Sequence, residues 1–315
     1  MLYHCHQCGK ELDTSRMNLA DGVCPLCGQK FRGLFAGTQV RDFAVIGELA
    51  RGANGVVYLA RQPLLRRDVA LKLILNELSS QTDAVQRFFS EARAAAMVNH
   101  PNIVQALSAG VDDRGVCFFA MELIEGKSVE ERLDQYGALE FASALHIGVR
   151  LAEALAYAWR RVKLVHGDIK PANILIGKGG EPKLADLGLA HFGGKTPEED
   201  SLMATPLYVA PELVRGEYEK FGMKTDMYSF GATLYEIFVG EAPLFSDDMD
   251  EVLQMQLRER PQSLQDRLGF FDAELSQLVD RMLEKDPDLR PASWNEIAEI
   301  LRKIELRTRN SSLRR

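Results

Sequence analysis

Four polar side chains that could bind a metal ion and phosphate lie in two short apolar segments, HGDIKPANILIG and PKLADLGLA. They are Asp168, Lys170, Asn173 and Asp186. Carboxylate and amide oxygens are ligands that Mg²⁺ prefers, and Mg²⁺ in proteins usually accompanies phosphate groups. A pair of aspartates in loops is common by chance, so the hypothesis depends on phosphate-binding residues elsewhere in the chain.

The composition is that of an ordinary globular protein. The chain has 315 residues, of which 46% are apolar and 26% charged, enough for one large domain or two smaller ones. Its formal net charge of -7 argues against general nucleic-acid binding, which needs a basic surface. The longest apolar runs are shorter than the ~18 residues of a membrane span, and the first residues lack the apolar core of a signal peptide. We therefore expect a cytoplasmic protein with no membrane span within these residues.

Two CxxC motifs near the start of the sequence predict a metal site. Their cysteines are Cys5, Cys8, Cys24 and Cys27. Each motif places two thiolates on one side of a tight turn, and two motifs complete the tetrahedral Cys₄ site of structural Zn²⁺. The segment has few apolar residues and needs such a cross-link to fold. Residues 1–33 resemble a zinc ribbon, a fold that leaves the role of the segment open.

A strand-rich region follows a linker that we place at residues 34–42. Alternating apolar and polar residues predict strands in FAVIGEL, GVVYLARQ, DVALKLIL, IVQALSAGV and GVCFFAMELI. A helix is predicted between the third and fourth of these, from about Asp83 to Val98, because apolar residues recur there at helical spacing. The region extends to about residue 124.

The remainder of the sequence is helix-rich. Helical periodicity and Gly/Pro turns predict long helices at residues 141–161, 226–239, 248–258, 273–284 and 293–307. Residues 302–315 are basic, and we expect them to form a solvated helix end and tail. A strand-rich region before a helix-rich one predicts an α+β fold of two lobes, residues 43–124 and 125–301, with a ligand-binding cleft between them.

Two further motifs supply the phosphate-binding residues that the hypothesis needs. The segment ARGANGVV places Gly52 and Gly55 in a turn between two strands, where glycines let backbone amides approach phosphate oxygens. The strand VALK ends in Lys72, whose ammonium group needs an anionic partner if it is buried. With the first two segments, these motifs stand in the order found in protein kinases, and residues 43 to about 301 resemble that family, especially its bacterial-type serine/threonine members. The family pattern begins with a further glycine, where this chain has Ala50.

The resemblance implies a role for each catalytic residue. Lys72 would pair with Glu91 of the following helix and hold the α- and β-phosphates of ATP. Asp168 would accept the proton of the substrate hydroxyl. Lys170 would neutralise charge on the γ-phosphoryl group, and a lysine at this position is typical of the serine/threonine branch.

The resemblance also implies which residues bind the metal ion and the nucleotide. Asn173 and Asp186 would hold Mg²⁺, or Mn²⁺ in its place, and the two loop glycines would contact the phosphates. The groups expected around the adenine base are the gatekeeper Met121, the Glu122 carbonyl, the Ile124 amide and the side chains of Val57, Ala70 and Leu175. These apolar positions are equally compatible with ordinary core packing.

Three further matches to the family concern positioning and stability. They imply a buried ion pair between Glu212 and Arg290, a buried Asp226 that anchors the catalytic loop, and a contact from Thr205 to the catalytic aspartate and lysine. Taken singly, an aspartate or asparagine of the catalytic set, such as Asp168 or Asn173, is more often a turn or cap residue. The combination at these spacings favours the kinase interpretation.

Two departures from the family pattern bear on mechanism. Gly167 stands where most members have an arginine beside the catalytic aspartate. That arginine is normally neutralised by a phosphorylated activation loop, so we expect activity without a strict need for loop phosphorylation, although Thr196, Ser201 and Thr205 are available acceptors. The second departure, Leu187 in place of phenylalanine, preserves apolar packing.

The sequence therefore favours a serine/threonine protein kinase that uses ATP and acts on protein substrates, preceded by a zinc ribbon. One alternative is a pseudokinase that acts as a binding scaffold, but such proteins typically lose a metal ligand or the catalytic base, and this chain keeps both. Another is a nucleic-acid-binding regulator acting through the ribbon, which residues 1–33 support poorly because they hold few basic residues.

Overall fold

The computed structural model describes residues 2–4, 11–13, 37–52, 55–74, 82–187, 205–269 and 272–312. Contacts divide the chain into two compact units, residues 1–89 with 106–123, and residues 90–105 with 124–315. The four cysteines of the predicted zinc site lie outside the described residues. The short strands on either side of the first CxxC motif, β1 (Leu2–His4) and β2 (Glu11–Asp13), pair in antiparallel fashion.

The described part of the first unit is built on a six-stranded antiparallel sheet. Its strands are β3 (Gln39–Val40), β4 (Phe43–Gly52), β5 (Gly55–Gln62), β6 (Arg67–Leu73), β7 (Ala106–Val111) and β8 (Cys117–Glu122). They lie in the order β3-β4-β5-β6-β8-β7. The five long strands follow from the alternating sequence pattern. Strand β3 lies within residues 34–42, which were predicted to be a linker. It forms there because Val40 pairs with Phe43 and is completely buried.

The two faces of this sheet differ in burial. Val56, Tyr58 and Ala60 of β5 point to one face, where they join the core cluster of the unit and are at most 2% exposed. Successive side chains of a strand point to opposite faces. Val57 and Leu59 therefore point to the other face, and both are only partly buried.

Among the described residues, one helix lies between strands β6 and β7 in the sequence, and the remaining helices follow β8. Helix α1 (Thr82–Met97) lies within one residue of its predicted bounds. The remaining helices are α2 (Val129–Tyr136), α3 (Phe141–Val162), α4 (Pro211–Val214), α5 (Met223–Val239), α6 (Met249–Arg258), α7 (Leu264–Leu268), α8 (Ala273–Met282) and α9 (Trp294–Ser312). The strands β9 (Gly126–Ser128), β10 (Ile174–Gly177) and β11 (Pro182–Leu184) form a small sheet in the order β11-β10-β9. The strand-rich first unit and the helical second unit agree with the predicted fold class.

The short elements of the second unit were not predicted. Strands of three or four residues are too short to show an alternating pattern. Helix α2 does carry a readable signal, because Ser128 and Glu131 form a capping box in which each side chain accepts a hydrogen bond from the other's backbone amide. That spacing of serine and glutamate could have located the start of α2.

Helix α5 is the buried centre of the second unit. Every residue from Thr225 to Phe238 except Glu236 is buried, which explains why apolar residues occur on all sides of this helix. Gly231 lies where α5 packs closely on α8, since a Cβ atom there would be 2.8 Å from the Cβ of Met282.

Most of the basic segment 302–315, expected as a solvated helix end and tail, lies in helix α9, which ends at Ser312 and not at the predicted residue 307. Ile304 is completely buried, and Glu305 lies 3.1 Å from the His146 ring. Lys303 and Arg307 form ion pairs with Glu274 at the start of α8. The helix continues because its apolar face packs and its basic face finds acidic partners. Among the helices in the described ranges, none has the length and apolar content needed to cross a lipid bilayer.

Candidate active site

Asp226 of helix α5 anchors the backbone of the loop that carries Asp168. The backbone amides of His166 and Gly167 donate to the two carboxyl oxygens of Asp226, at 2.7 and 2.8 Å. Burial raises the pKa of Asp226 from 3.8 to about 7, and the two amide hydrogen bonds oppose that rise. Gly167 has φ of 81°, a left-handed conformation that favours glycine. The anchoring role expected for Asp226 is thus present in the structure.

His166 links this loop to the segment that carries Asp186. Its Nε2 lies 3.1 Å from the carbonyl oxygen of Ala185, and its Nδ1 lies 3.3 Å from the amide nitrogen of Asp168. A carbonyl only accepts and an amide only donates, so Nε2 carries the hydrogen. Complete burial lowers the pKa of His166, which keeps the ring neutral, although Asp168 and Asp186 oppose the shift. The sequence placed His166 in the motif without giving it this bridging role.

Asp168 lies at the centre of a network of side chains. Lys170 Nζ is 2.8 Å from Asp168 Oδ2 and donates to Thr205 Oγ1 at 2.7 Å. Thr205 Oγ1 in turn donates to Asp168 Oδ1 at 3.3 Å. Asn173 Nδ2 donates to both the backbone carbonyl and Oδ2 of Asp168, at 2.8 and 3.0 Å. The structure therefore brings together the predicted base, the predicted charge neutraliser and the predicted threonine.

Asn173 and Asp186 lie on neighbouring segments. Asn173 ends a short 3₁₀ turn, and its backbone carbonyl accepts from the amide of Ala185 at 2.8 Å. Asp186 has φ of 60°, a left-handed conformation that aspartate tolerates better than most residues.

The donor atoms here fit a divalent cation held together with phosphate. The Asn173 side-chain nitrogen is engaged by Asp168, which leaves its oxygen as the atom for a cation. One carboxylate and one amide oxygen are a typical protein contribution to Mg²⁺, whose other ligands are phosphate and water oxygens. Within the described ranges, no group of three or more His, Cys, Asp or Glu side chains could hold a metal ion by itself.

Lys72 and Glu91 are both buried charged residues. Lys72 lies on β6 and is 8% exposed, and Glu91 lies on α1 and is 4% exposed. Burial of a charged side chain is costly unless it is paired. The two residues belong to different units, and the ion pair expected between them stays a prediction.

The loop glycines occupy the ends of paired strands. Gly52 is the last residue of β4 and pairs directly with Gly55, the first residue of β5. Gly55 has φ of 141°, and a Cβ atom there would lie 2.2 Å from the carbonyl oxygen of Leu73. Glycine at this position is thus required by the close approach of β6, in addition to any role toward phosphate.

Several residues expected near the nucleotide lie on one face of the first sheet. Directly paired residues of antiparallel strands point to the same face. Val57 pairs with Lys72, and Ala70 pairs with Met121 and Leu59. The second face of the sheet, opposite the core cluster, therefore carries four of the predicted residues: Val57, Ala70, Lys72 and Met121.

The remaining predicted nucleotide contacts lie at or beyond the end of β8. Glu122 is the last residue of that strand, whereas Ile124 belongs to the second unit. Leu175 lies on β10, where it pairs with Ser128 and Lys183 and is partly buried. Their contact with the base stays a prediction.

Comparison with known proteins assigns the chain to a family. Residues 43–303 match the family model described as "Protein kinase domain". The chain is 32% identical over 275 residues to the "Probable serine/threonine-protein kinase CPE1738" of Clostridium perfringens, a match that covers 87% of this chain. It is 35% identical over 268 residues to the serine/threonine-protein kinase PknK and 34% identical over 273 residues to PknJ, both of Mycobacterium bovis and each covering 84% of this chain. The chain belongs to the protein kinase domain family.

The relatives are much longer proteins. The matches cover 39% of the Clostridium protein, 24% of PknK and 46% of PknJ. The matched part of this chain therefore corresponds to less than half the length of each relative.

Proposed function

We propose that this protein is a serine/threonine protein kinase that transfers the γ-phosphoryl group of ATP to hydroxyl groups of protein substrates. The observation that carries the proposal is the network of Asp168, Lys170, Asn173 and Thr205. It places an ammonium group, an amide and a hydroxyl each within hydrogen-bond distance of one carboxylate, that of Asp168. The names of the three relatives support the same activity.

The chemistry needs positioning more than covalent participation by the protein. The substrate hydroxyl donates its proton to a carboxylate oxygen of Asp168. At the same time the oxygen of that hydroxyl attacks the γ-phosphorus of ATP. The bond from that phosphorus to the bridging oxygen breaks, and ADP leaves. Lys170 stabilises the negative charge on the transferred group while Thr205 and Asn173 hold the carboxylate in place.

The metal ion and the nucleotide would be bound by the residues that the family resemblance implies. Asn173 and Asp186 would hold Mg²⁺, which neutralises phosphate charge when bound. Lys72 would bind the α- and β-phosphates, paired with Glu91. The second face of the first sheet would contact the adenine base through Val57 and Ala70.

We also propose that activity does not strictly require phosphorylation of the activation loop, because Gly167 stands where most family members have an arginine. No cationic side chain stands at that position, so none has to be neutralised there before Asp168 can work. The left-handed backbone at Gly167 adds a reason for glycine. The test is a Thr196→Ala, Ser201→Ala double variant, which should keep most of its activity; complete loss would contradict the proposal.

We also propose that Cys5, Cys8, Cys24 and Cys27 bind a structural Zn²⁺ ion in a ribbon that serves recognition or localisation. Strands β1 and β2 support this, because the pairing of His4 with Glu11 closes a hairpin around the first CxxC motif. Thiolate ligands and ATP both suit a cytoplasmic location.

Metal analysis tests the zinc site and should find one zinc per chain, lost in a Cys24→Ser, Cys27→Ser variant. A gel shift with residues 1–33 tests the nucleic-acid alternative.

The main experiment compares wild type with Asp168→Asn in Mg²⁺ and labelled ATP, with a generic basic protein as acceptor. We expect transfer by the wild type and a loss of at least about a hundredfold in the variant. Equal signals would reject the kinase assignment. Nucleotide binding without transfer by the wild type would favour the pseudokinase alternative.

A further inference from the structure

Gln256 of helix α6 is a completely buried amide whose two side-chain hydrogens are donated to one backbone segment and whose oxygen accepts from one tyrosine. Its Nε2 donates to the backbone carbonyls of Pro206 and Leu207, at 3.1 and 3.0 Å. Its Oε1 accepts from the hydroxyl of Tyr228. Gln256 is 0% exposed, so each of these groups would be left without water if the amide were removed.

Tyr228 and Lys285 continue this chain of hydrogen bonds. The single hydroxyl hydrogen of Tyr228 goes to Gln256, and its oxygen accepts from Lys285 Nζ at 2.9 Å. The Lys285 ammonium also lies 5.2 Å from the centre of the Tyr228 ring. Burial lowers the pKa of Lys285 to about 8, a cost that these two contacts partly offset. The donors therefore run in one direction, from Lys285 through Tyr228 and Gln256 to the two carbonyls.

The two carbonyls belong to the segment that follows Thr205. Thr205 is held by Lys170 and contacts Asp168 directly. At the other end, the backbone carbonyl of Tyr208 accepts from Ser229 Oγ at 2.8 Å. Residues 206 and 207 lie between these fixed points, and Gln256 is the side chain that holds their carbonyls.

We infer that Gln256, supported by Tyr228 and Lys285, is a positioning residue that fixes residues 206 and 207 for contact with the protein substrate. The Thr205 hydroxyl lies 3.3 Å from Asp168, and residues 206 and 207 follow it directly. A substrate residue that offers its hydroxyl to Asp168 would therefore bring its own chain neighbours close to the segment that Gln256 holds. The inference rests on the proposed kinase function. It assigns Gln256 to the protein substrate and not to ATP.

The test is Gln256→Leu in the full chain, with Gln254→Leu as the matched control, because Gln254 is exposed on the same helix. We expect the KM for a peptide substrate to rise about tenfold in Gln256→Leu, as for lost hydrogen bonds at buried groups, with the KM for ATP within about twofold of wild type. Tyr228→Phe removes one hydroxyl and should show a smaller rise in the same direction. An unchanged peptide KM in Gln256→Leu, or an equal rise in the KM for ATP, overturns the inference.

Amide hydrogen exchange gives a readout that does not depend on activity. Exchange in the peptide containing residues 205–209 should become about tenfold faster in Gln256→Leu and stay unchanged in Gln254→Leu. If the wild type transfers no phosphate but this difference appears, the proposed function fails while the positioning of the segment stands. If exchange is unchanged in both variants, the positioning role is rejected. Should Gln256→Leu fail to fold, the same comparison is made with Tyr228→Phe.

Discussion

Arg290 and Glu212 form a two-pronged ion pair that is closed to solvent. The two terminal nitrogens of the guanidinium donate to the two carboxylate oxygens at 2.7 and 2.8 Å, and neither side chain is exposed. Arg290 also donates to the backbone carbonyls of Glu284 and Lys224. The pair thereby ties helix α4, shortly after the Thr205 segment, to the turn before helix α9.

Removal of one partner from this pair should destabilise the protein strongly. We expect Glu212→Ala to lower the free energy of unfolding by about 3–5 kcal/mol, because it leaves a buried guanidinium without its counter-charge. The exposed pair of Arg267 and Glu241 is the control, and Glu241→Ala should cost less than about 1 kcal/mol. Urea unfolding of both variants measures the difference, and equal costs would contradict the prediction.

Asp226 should make stability depend on pH. Its folded pKa of about 7 lies above the ordinary 3.8, so between these values the folded protein binds more protons than the unfolded chain. Asp226 therefore contributes most to the free energy of unfolding below pH 3.8, and this contribution is lost as the pH rises through about 7. Asp226→Asn should remove this slope and also abolish one of the two amide hydrogen bonds, because the asparagine side-chain nitrogen cannot accept. Unfolding measured from pH 4 to 8 tests this, with the exposed Asp250→Asn as control; an unchanged slope in Asp226→Asn would refute it.

Thr205 should matter through its hydroxyl. Thr205→Ala removes the acceptor for Lys170 and the donor to Asp168, and we expect kcat to fall about tenfold or more because the carboxylate and ammonium groups lose their common partner. Thr205→Ser keeps the hydroxyl and should retain most of the activity. Steady-state phosphorylation of a peptide distinguishes the two. A Thr205→Ala enzyme as active as the serine variant would show that the hydroxyl is dispensable.

Gly55 should tolerate no side chain. A Cβ atom would lie 2.2 Å from the Leu73 carbonyl oxygen, and the φ of 141° is unfavourable for other residues. We expect Gly55→Ala to lower the free energy of unfolding by more than about 1 kcal/mol. Gly47→Ala on the adjacent strand is the control, since nothing lies within 4 Å of the position that its methyl group would occupy, and it should be close to neutral. Thermal unfolding of the two variants measures the difference, and equal stability would contradict the prediction.

The sequence predicted those parts of the site in which a residue type and its spacing are both distinctive. The polar residues of the 166–173 loop stand out against apolar neighbours, and the long strands and helices follow from periodicity. The contacts that join Asp226 to the loop and Glu212 to Arg290 were expected from the family resemblance, and the structure contains both.

The sequence could not predict contacts whose partners are distant in the chain and individually unremarkable. Gln256 is one of two glutamines in helix α6, and the other, Gln254, is exposed. Only the fold brings its amide to two carbonyls 49 and 50 residues earlier. The ion pairs of Lys303 and Arg307 in helix α9 were missed for a related reason, because their acidic partner Glu274 lies on another helix.

The alternation of burial along β5 also constrains how this gene can change. Deletion of one residue within the strand would shift every later side chain to the opposite face, so that Val57 and its neighbours would exchange places with the core residues Val56 and Tyr58. Such a single-residue deletion would damage both the core and the second face of the sheet, which is predicted to contact the nucleotide. Length variation during evolution is therefore expected in the turns that flank β5 and not within the strand.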